Sequence, residues 1–281
     1  MTPPHTGPQR VCCFCGRPGE ITKEHAWPQW LARSFGPLPG QGQTTYHSGY
    51  ARTSRLESIE MPNIRRQKNA AVTTSKLREV CKPCNSGWMS RLESDVAPLL
   101  QQAGRPAFFA KTAHLLPQDA ALLASWAIKT AWVRERLEYR DFVASPAMRQ
   151  DLSARSMPPP YTVVHAVGYA GEAVFSSATS RMELTRQELP WDSADVRRVA
   201  RCLLVLPGVA FHVRTADGPG AAPQNLTQPW KQLWPLNEGL AWPPSVSASA
   251  SDFTRAVVDC SWMTHPETFF RRHGDGGWAS R

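Results

Sequence analysis

No apolar run in these 281 residues is long enough to cross a bilayer. Residues 203–211 are interrupted at Pro207 and Gly208, and residues 122–133 contain Lys129 and lead into charges. The opening stretch, MTPPHTGPQRV, has neither the basic start nor the unbroken apolar segment of an export leader. These absences set the expectation of a cytoplasmic protein with no membrane partner. No internal repeat stands out. A hydrophobic share of 42% and a charged share of 20% belong to a globular chain rather than a low-complexity one. The 25 prolines and 18 glycines add many turns.

Acidic residues are the scarcer charge, and the imbalance is local. Residues 1–100 hold 13 Lys/Arg against 7 Asp/Glu, whereas the remaining 181 hold 19 against 16. A basic surface of this kind attracts phosphate and supplies the salt-sensitive part of nucleic-acid affinity, although it also serves simply to keep a protein solvated. The length exceeds what one core usually supports. Two units are therefore expected, residues 1–98 and residues 99–281.

Seven cysteines are an odd number for a disulfide framework. Four of them form two C-x-x-C pairs, Cys12/Cys15 and Cys81/Cys84, the ligand set of a closed tetrahedral zinc site. A redox pair would call for one such motif at a helix start, not two motifs embedded in basic sequence. Gly16 is placed to supply the positive φ of the first knuckle turn. Cys13 reads as a small apolar filler, and Cys202 and Cys260 as buried free thiols.

Residues 1–10 read as a disordered arm. Pro28 suits a first helical position, and Leu31 and Phe35 recur at helical spacing, so a helix is expected to run to Phe35. Residues 38–69 read as a long insertion with strands near 43–50. A second helix follows Cys84, and a third spans Pro117 to about Tyr139 with Leu123, Trp126, Val133 and Leu137 on one face. Residues 161–169, 173–178, 199–206 and 209–214 read as strands, with Pro207-Gly208 as a tight turn, and residues 251–258 as a final helix. The fold class is α+β: an N-terminal zinc-stapled module, then an α+β domain with a small antiparallel sheet.

Between the knuckles lies Glu24-His25, followed by Pro28, and the second knuckle runs directly into Asn85. In these residues, over about residues 11–95, the sequence resembles the HNH endonucleases of the ββα-metal fold, in the subset whose hairpin and helix are clamped by a four-cysteine zinc. The resemblance implies a phosphodiester hydrolase acting on nucleic acid, DNA in preference to RNA. His25 would be the general base. Glu24 and Asn85 would hold one catalytic divalent ion, Mg²⁺ or Mn²⁺, with Zn²⁺ or Ni²⁺ also admitted by a neighbouring histidine. The sequence departs from the family pattern twice. Asn85 stands where a last histidine is frequent, and Lys76-Leu77-Arg78 occupies the place of the middle asparagine, for which Asn63, Asn69, Thr73, Thr74 or Ser75 are the alternatives. The alternative function is a catalytically inactive zinc module that binds nucleic acid or protein.

Each of these residues also has a plainer reading. Glu24 taken alone is a solvated strand residue, and Asn85 a helix cap. Arg52, Arg55, Arg65, Arg66 and Lys68 crowd the insertion and are expected to grip backbone phosphates, or else to solvate a loop. Trp27, Trp30 and Trp88 fit core packing better than base stacking. The histidines at 5, 47, 114, 165, 212, 265 and 273 show no ligand spacing.

Overall fold

A computed structural model describes residues 10–35, 44–48, 50–52, 64–68, 75–104, 113–170, 176–183, 198–218, 229–236, 240–244 and 248–249. The expected N-terminal arm, except Arg10, and the expected helix at 251–258 lie outside the described residues.

The N-terminal part is a strand, a second strand and a helix. β1 (Ile21–His25) pairs antiparallel with β5 (Lys76–Cys81), with a register shift between Thr22 and Glu24. Cys84–Met89 then forms a wide helical turn in which Gly87 leaves helical dihedrals, and it continues into α2 (Ser90–Ala103). α1 (Gln29–Phe35) follows β1, as the Pro28 signal implies. Within the insertion, β2 (Thr44–Ser48) pairs antiparallel with β4 (Ile64–Lys68).

The second part carries a six-stranded sheet in the order β11-β7-β10-β9-β8-β3, and one of its strands comes from the insertion. β7 (Thr162–Tyr169), β8 (Ser176–Glu183), β9 (Arg198–Leu206), β10 (Gly208–Ala216) and β11 (Lys231–Trp234) pair antiparallel, whereas β3 (Tyr50–Arg52) joins the edge parallel to β8. The β9–β10 hairpin turns at Pro207-Gly208, where Gly208 has φ +82°. β6 (Ala113–Leu115) pairs with β12 (Leu240–Trp242) as a separate two-stranded unit.

α3 (Pro117–Tyr139) has the expected bounds but not the expected single apolar face: nearly every residue from Ala120 to Glu135 is buried. The reason is its position. On one side Trp126 meets Phe211 edge-on at 5.9 Å, and Trp132 Nε1 donates to Thr215 Oγ1 of β10 at 3.0 Å. On the other side it packs on α2 and β5. A helix covered on two sides has no solvent stripe to reveal its orientation.

The core is continuous across this helix, from Phe14, Trp27 and Trp88 to Phe211 and Trp242. α2 contributes Leu92, Val96 and Leu100 at helical spacing, each about 1.5–3 kcal/mol of burial. The division expected at residue 98 falls inside α2. α4 (Pro146–Arg155) was not among the expected helices, although its signal is present: the Ser145 hydroxyl accepts from Met148 N at 3.3 Å as an N-cap, and Pro146 follows at the first helical position. Arg149 of α4 stacks over Phe142 at 4.3 Å and donates through Nε to the Cys13 carbonyl at 2.6 Å, clasping the first knuckle.

Candidate functional site

The first knuckle is a tight turn. Gly16 N donates to Cys12 O and Cys12 N to Arg17 O, both at 2.9 Å, and Gly16 adopts φ +70° as its position in the motif requires. Cys13 N donates to Glu79 O at 2.8 Å, which ties this turn to β5 and brings it against Cys81 and Cys84. The four sulfurs lie within 4.8 Å of one another, close enough to hold a metal ion such as zinc. Cys15 and Cys81 stand 3.7 Å apart, close to the sulfur–sulfur edge of about 3.8 Å that a tetrahedron of ~2.3 Å zinc–sulfur bonds requires. A hydrogen bond from the Cys84 thiol holds the Cys12 thiol below its ordinary value. The Arg17 guanidinium sits beside Cys15 and is held above its ordinary value by that sulfur. Cys13, where burial pushes the thiol up, takes no part in the cluster.

Glu24 and His25 end β1 with different surroundings. Glu24 is not solvated; it is 5% exposed, and its Oε1 accepts from Lys129 Nζ of α3 at 2.9 Å. The same ammonium donates to Glu93 Oε1 of α2 at 2.6 Å. Burial opposes charge on Lys129, yet the two carboxylates outweigh it and hold the ammonium above its ordinary value. Two carboxylates share one cation, so negative charge is in excess. Burial pushes the deeper Glu24 up, and Lys129 offsets this only in part.

His25 is half-buried and lies cross-strand from Lys76. Its Nε2 is buried without a hydrogen-bond partner among the described residues. Burial first and the Lys76 cation second hold the imidazole below its ordinary value, which leaves it neutral and able to accept a proton at neutral pH.

Asn85 does not cap its own helix. Its Nδ2 donates to Thr22 Oγ1 at 2.9 Å and to Lys23 O at 3.2 Å, while Thr22 Oγ1 donates to Val80 O at 3.0 Å. The side chain thereby staples the start of the helical segment to the β1–β5 hairpin.

The structure thus brings Glu24, His25 and Asn85 to one ββα unit beside the cysteines. As they stand, Glu24 meets Lys129 through one carboxylate oxygen, and Asn85 is bound to β1 through its amide nitrogen, which is not the atom a metal ion would take. Among the described residues, the four cysteines are the one group of three or more His, Cys, Asp or Glu side chains within ligand range.

Arg52 lies on β3, and Arg65, Arg66 and Lys68 lie on β4, while Arg55 lies outside the described residues, as do Asn63, Asn69, Thr73 and Thr74. Ser75 uses its carbonyl to receive Ala26 N at 2.8 Å. Trp27 and Trp88 are core residues, and the partly buried Trp30 packs against the same core.

Glu93 and Lys129 had no place in the reading of the sequence as site residues. Glu93 lies in the first turn of α2, eight residues after Asn85. Lys129 lies at the middle of α3 between apolar turns, where an unpaired buried lysine is not tolerated. Set against protein-family models, curated proteins and solved structures, the chain matches none of them.

Proposed function

We propose that the chain is an endonuclease of the HNH kind that hydrolyses phosphodiester bonds, in DNA in preference to RNA, with a structural zinc ion in the four-cysteine cluster. The observation that supports it most is His25 Nε2, a neutral ring nitrogen with no hydrogen bond of its own, at the end of the first strand of a hairpin whose second strand leads into a helix. In this reading the half-buried His25 imidazole takes a proton from the attacking water as oxygen bonds to phosphorus. The bond to the leaving 3′ oxygen breaks, and that oxygen is protonated from solvent. Lys23, Lys76 and Arg78, all exposed on the hairpin, are placed to meet backbone phosphates. Zinc, when bound, fixes the two knuckles together and so holds the hairpin against the helix.

A second reading, a silent zinc module that binds nucleic acid, is favoured by the commitment of Glu24 Oε1 to Lys129. Supercoiled plasmid incubated with the zinc-loaded chain, alone or with Mg²⁺ or Mn²⁺, separates the two. Nicking that disappears in His25→Ala supports the endonuclease. A gel shift without nicking in either protein supports the binding module, and equal nicking by both removes His25 from the reaction.

A further inference from the structure

We infer that the Lys129 ammonium, seated between the Glu24 and Glu93 carboxylates, excludes a divalent ion from between them. The inference deepens the endonuclease reading, on which its consequence for cleavage rests; its consequence for ion binding stands on geometry alone.

A divalent ion bridging Glu24 Oε1 and Glu93 Oε1 would need the position that Lys129 Nζ takes. The ammonium lies 2.9 Å from one carboxylate and 2.6 Å from the other, so it already bridges β1 and α2 as a metal ion would. It also cannot readily leave. Lys129 is fully buried at the middle of α3, with buried neighbours on every side of the helix, and evicting it would strand a positive charge in the core. Mg²⁺ keeps several of its waters and binds at about 2.1 Å to oxygen, and a carboxylate that is 5% exposed leaves little room for that shell. The two carboxylates gain from a lysine a charge that is present without any ion from solution. If the endonuclease reading holds, cleavage by the zinc-loaded chain gains nothing from Mg²⁺ or Mn²⁺ at these two carboxylates.

The test is an equilibrium titration of Mn²⁺ into the zinc-loaded full chain, followed by the loss of the free-Mn²⁺ electron paramagnetic resonance signal. The expected result is no binding by the wild-type chain at millimolar Mn²⁺. Lys129→Met, whose two carboxylates have lost their internal counter-charge, gains one site, tighter by roughly tenfold or more. Binding by the wild-type chain that is lost in Glu24→Gln overturns the inference. So does a folded Lys129→Met protein that takes up no Mn²⁺, since something other than the lysine then keeps the ion out. Should Lys129→Met unfold, millimolar Mn²⁺ is expected to restore its near-ultraviolet circular dichroism, and failure to restore it also overturns the inference. A wild-type chain that binds no Mn²⁺ and nicks no plasmid leaves the lysine's role intact while ending the endonuclease reading.

Discussion

Lys129→Met keeps the length and most of the volume of the side chain, so its effect isolates the charge. In the native fold the ammonium lies between Glu24, 5% exposed, and Glu93, at 2.9 and 2.6 Å. Removing it leaves two carboxylates in one enclosed space with no counter-charge. Deleting one partner of a buried ion pair costs about 3–5 kcal/mol, and the loss at neutral pH is expected in that range. Part of the cost is relieved by proton uptake. A carboxyl whose folded pKa is raised contributes stability that is present below its unfolded pKa and lost as pH rises through the folded one. Glu24 is already raised by burial, and without the lysine that offsets it the shift grows. The difference between variant and wild type should therefore be largest at neutral pH and shrink towards the ordinary carboxylate pKa of about 4. Chemical denaturation at both pH values measures it, and Lys129→Met/Glu24→Gln should recover much of the loss by removing the second charge. A loss below about 1 kcal/mol at neutral pH, or one that does not change between the two pH values, refutes the picture of a buried triad.

Burial and the Lys76 cation hold His25 down, so the acidic limb of kcat/KM should fall below the ordinary histidine pKa of about 6.5, and Lys76→Gln should move it upward. A limb that this variant leaves in place points to another base. One zinc per chain is expected by atomic absorption, and Cys84→Ser should lose both the zinc and most of the near-ultraviolet signal from Trp88 and Phe14, which pack edge to face at 5.7 Å beside the cluster; a variant with full zinc and an unchanged spectrum contradicts this. Asn85→Ala removes two hydrogen bonds between the helical segment and β1 and should cost about 1–3 kcal/mol in denaturant unfolding, whereas a neutral effect would make the staple idle. Gly208→Ala would place a Cβ 1.8 Å from the Ala103 carbonyl oxygen at a φ of +82°. A loss of about 2–5 kcal/mol should show that the sheet and α2 unfold together, and a wild-type melt would separate them.

Several elements could be read because their signals are local. The bounds of α3, the strands at 162–169, 198–206 and 208–216, and the turn at Pro207-Gly208 follow from periodicity and turn chemistry within each segment. The four cysteines could be grouped because thiols at C-x-x-C spacing have few other uses in such a setting. α4 was missed despite its Ser-Pro start, since a ten-residue helix with two buried side chains carries little periodic pattern. The sheet was expected to be small and wholly antiparallel, and nothing within residues 50–52 announces that three residues of the insertion will extend it in parallel.

Spacing along the chain thus settled which sulfurs assemble and which segments become α3 and the central strands, because thiol ligation and backbone periodicity act over a few residues. Folding in three dimensions settled the partners of Glu24, 105 residues from Lys129, and of Lys129 itself, 36 residues from Glu93. It also turned Asn85 onto β1 and left the ring nitrogen of His25 without a bond. Charges that meet across such separations leave no periodic trace, since what joins them is the desolvation of a shared core and not any rule of neighbouring residues.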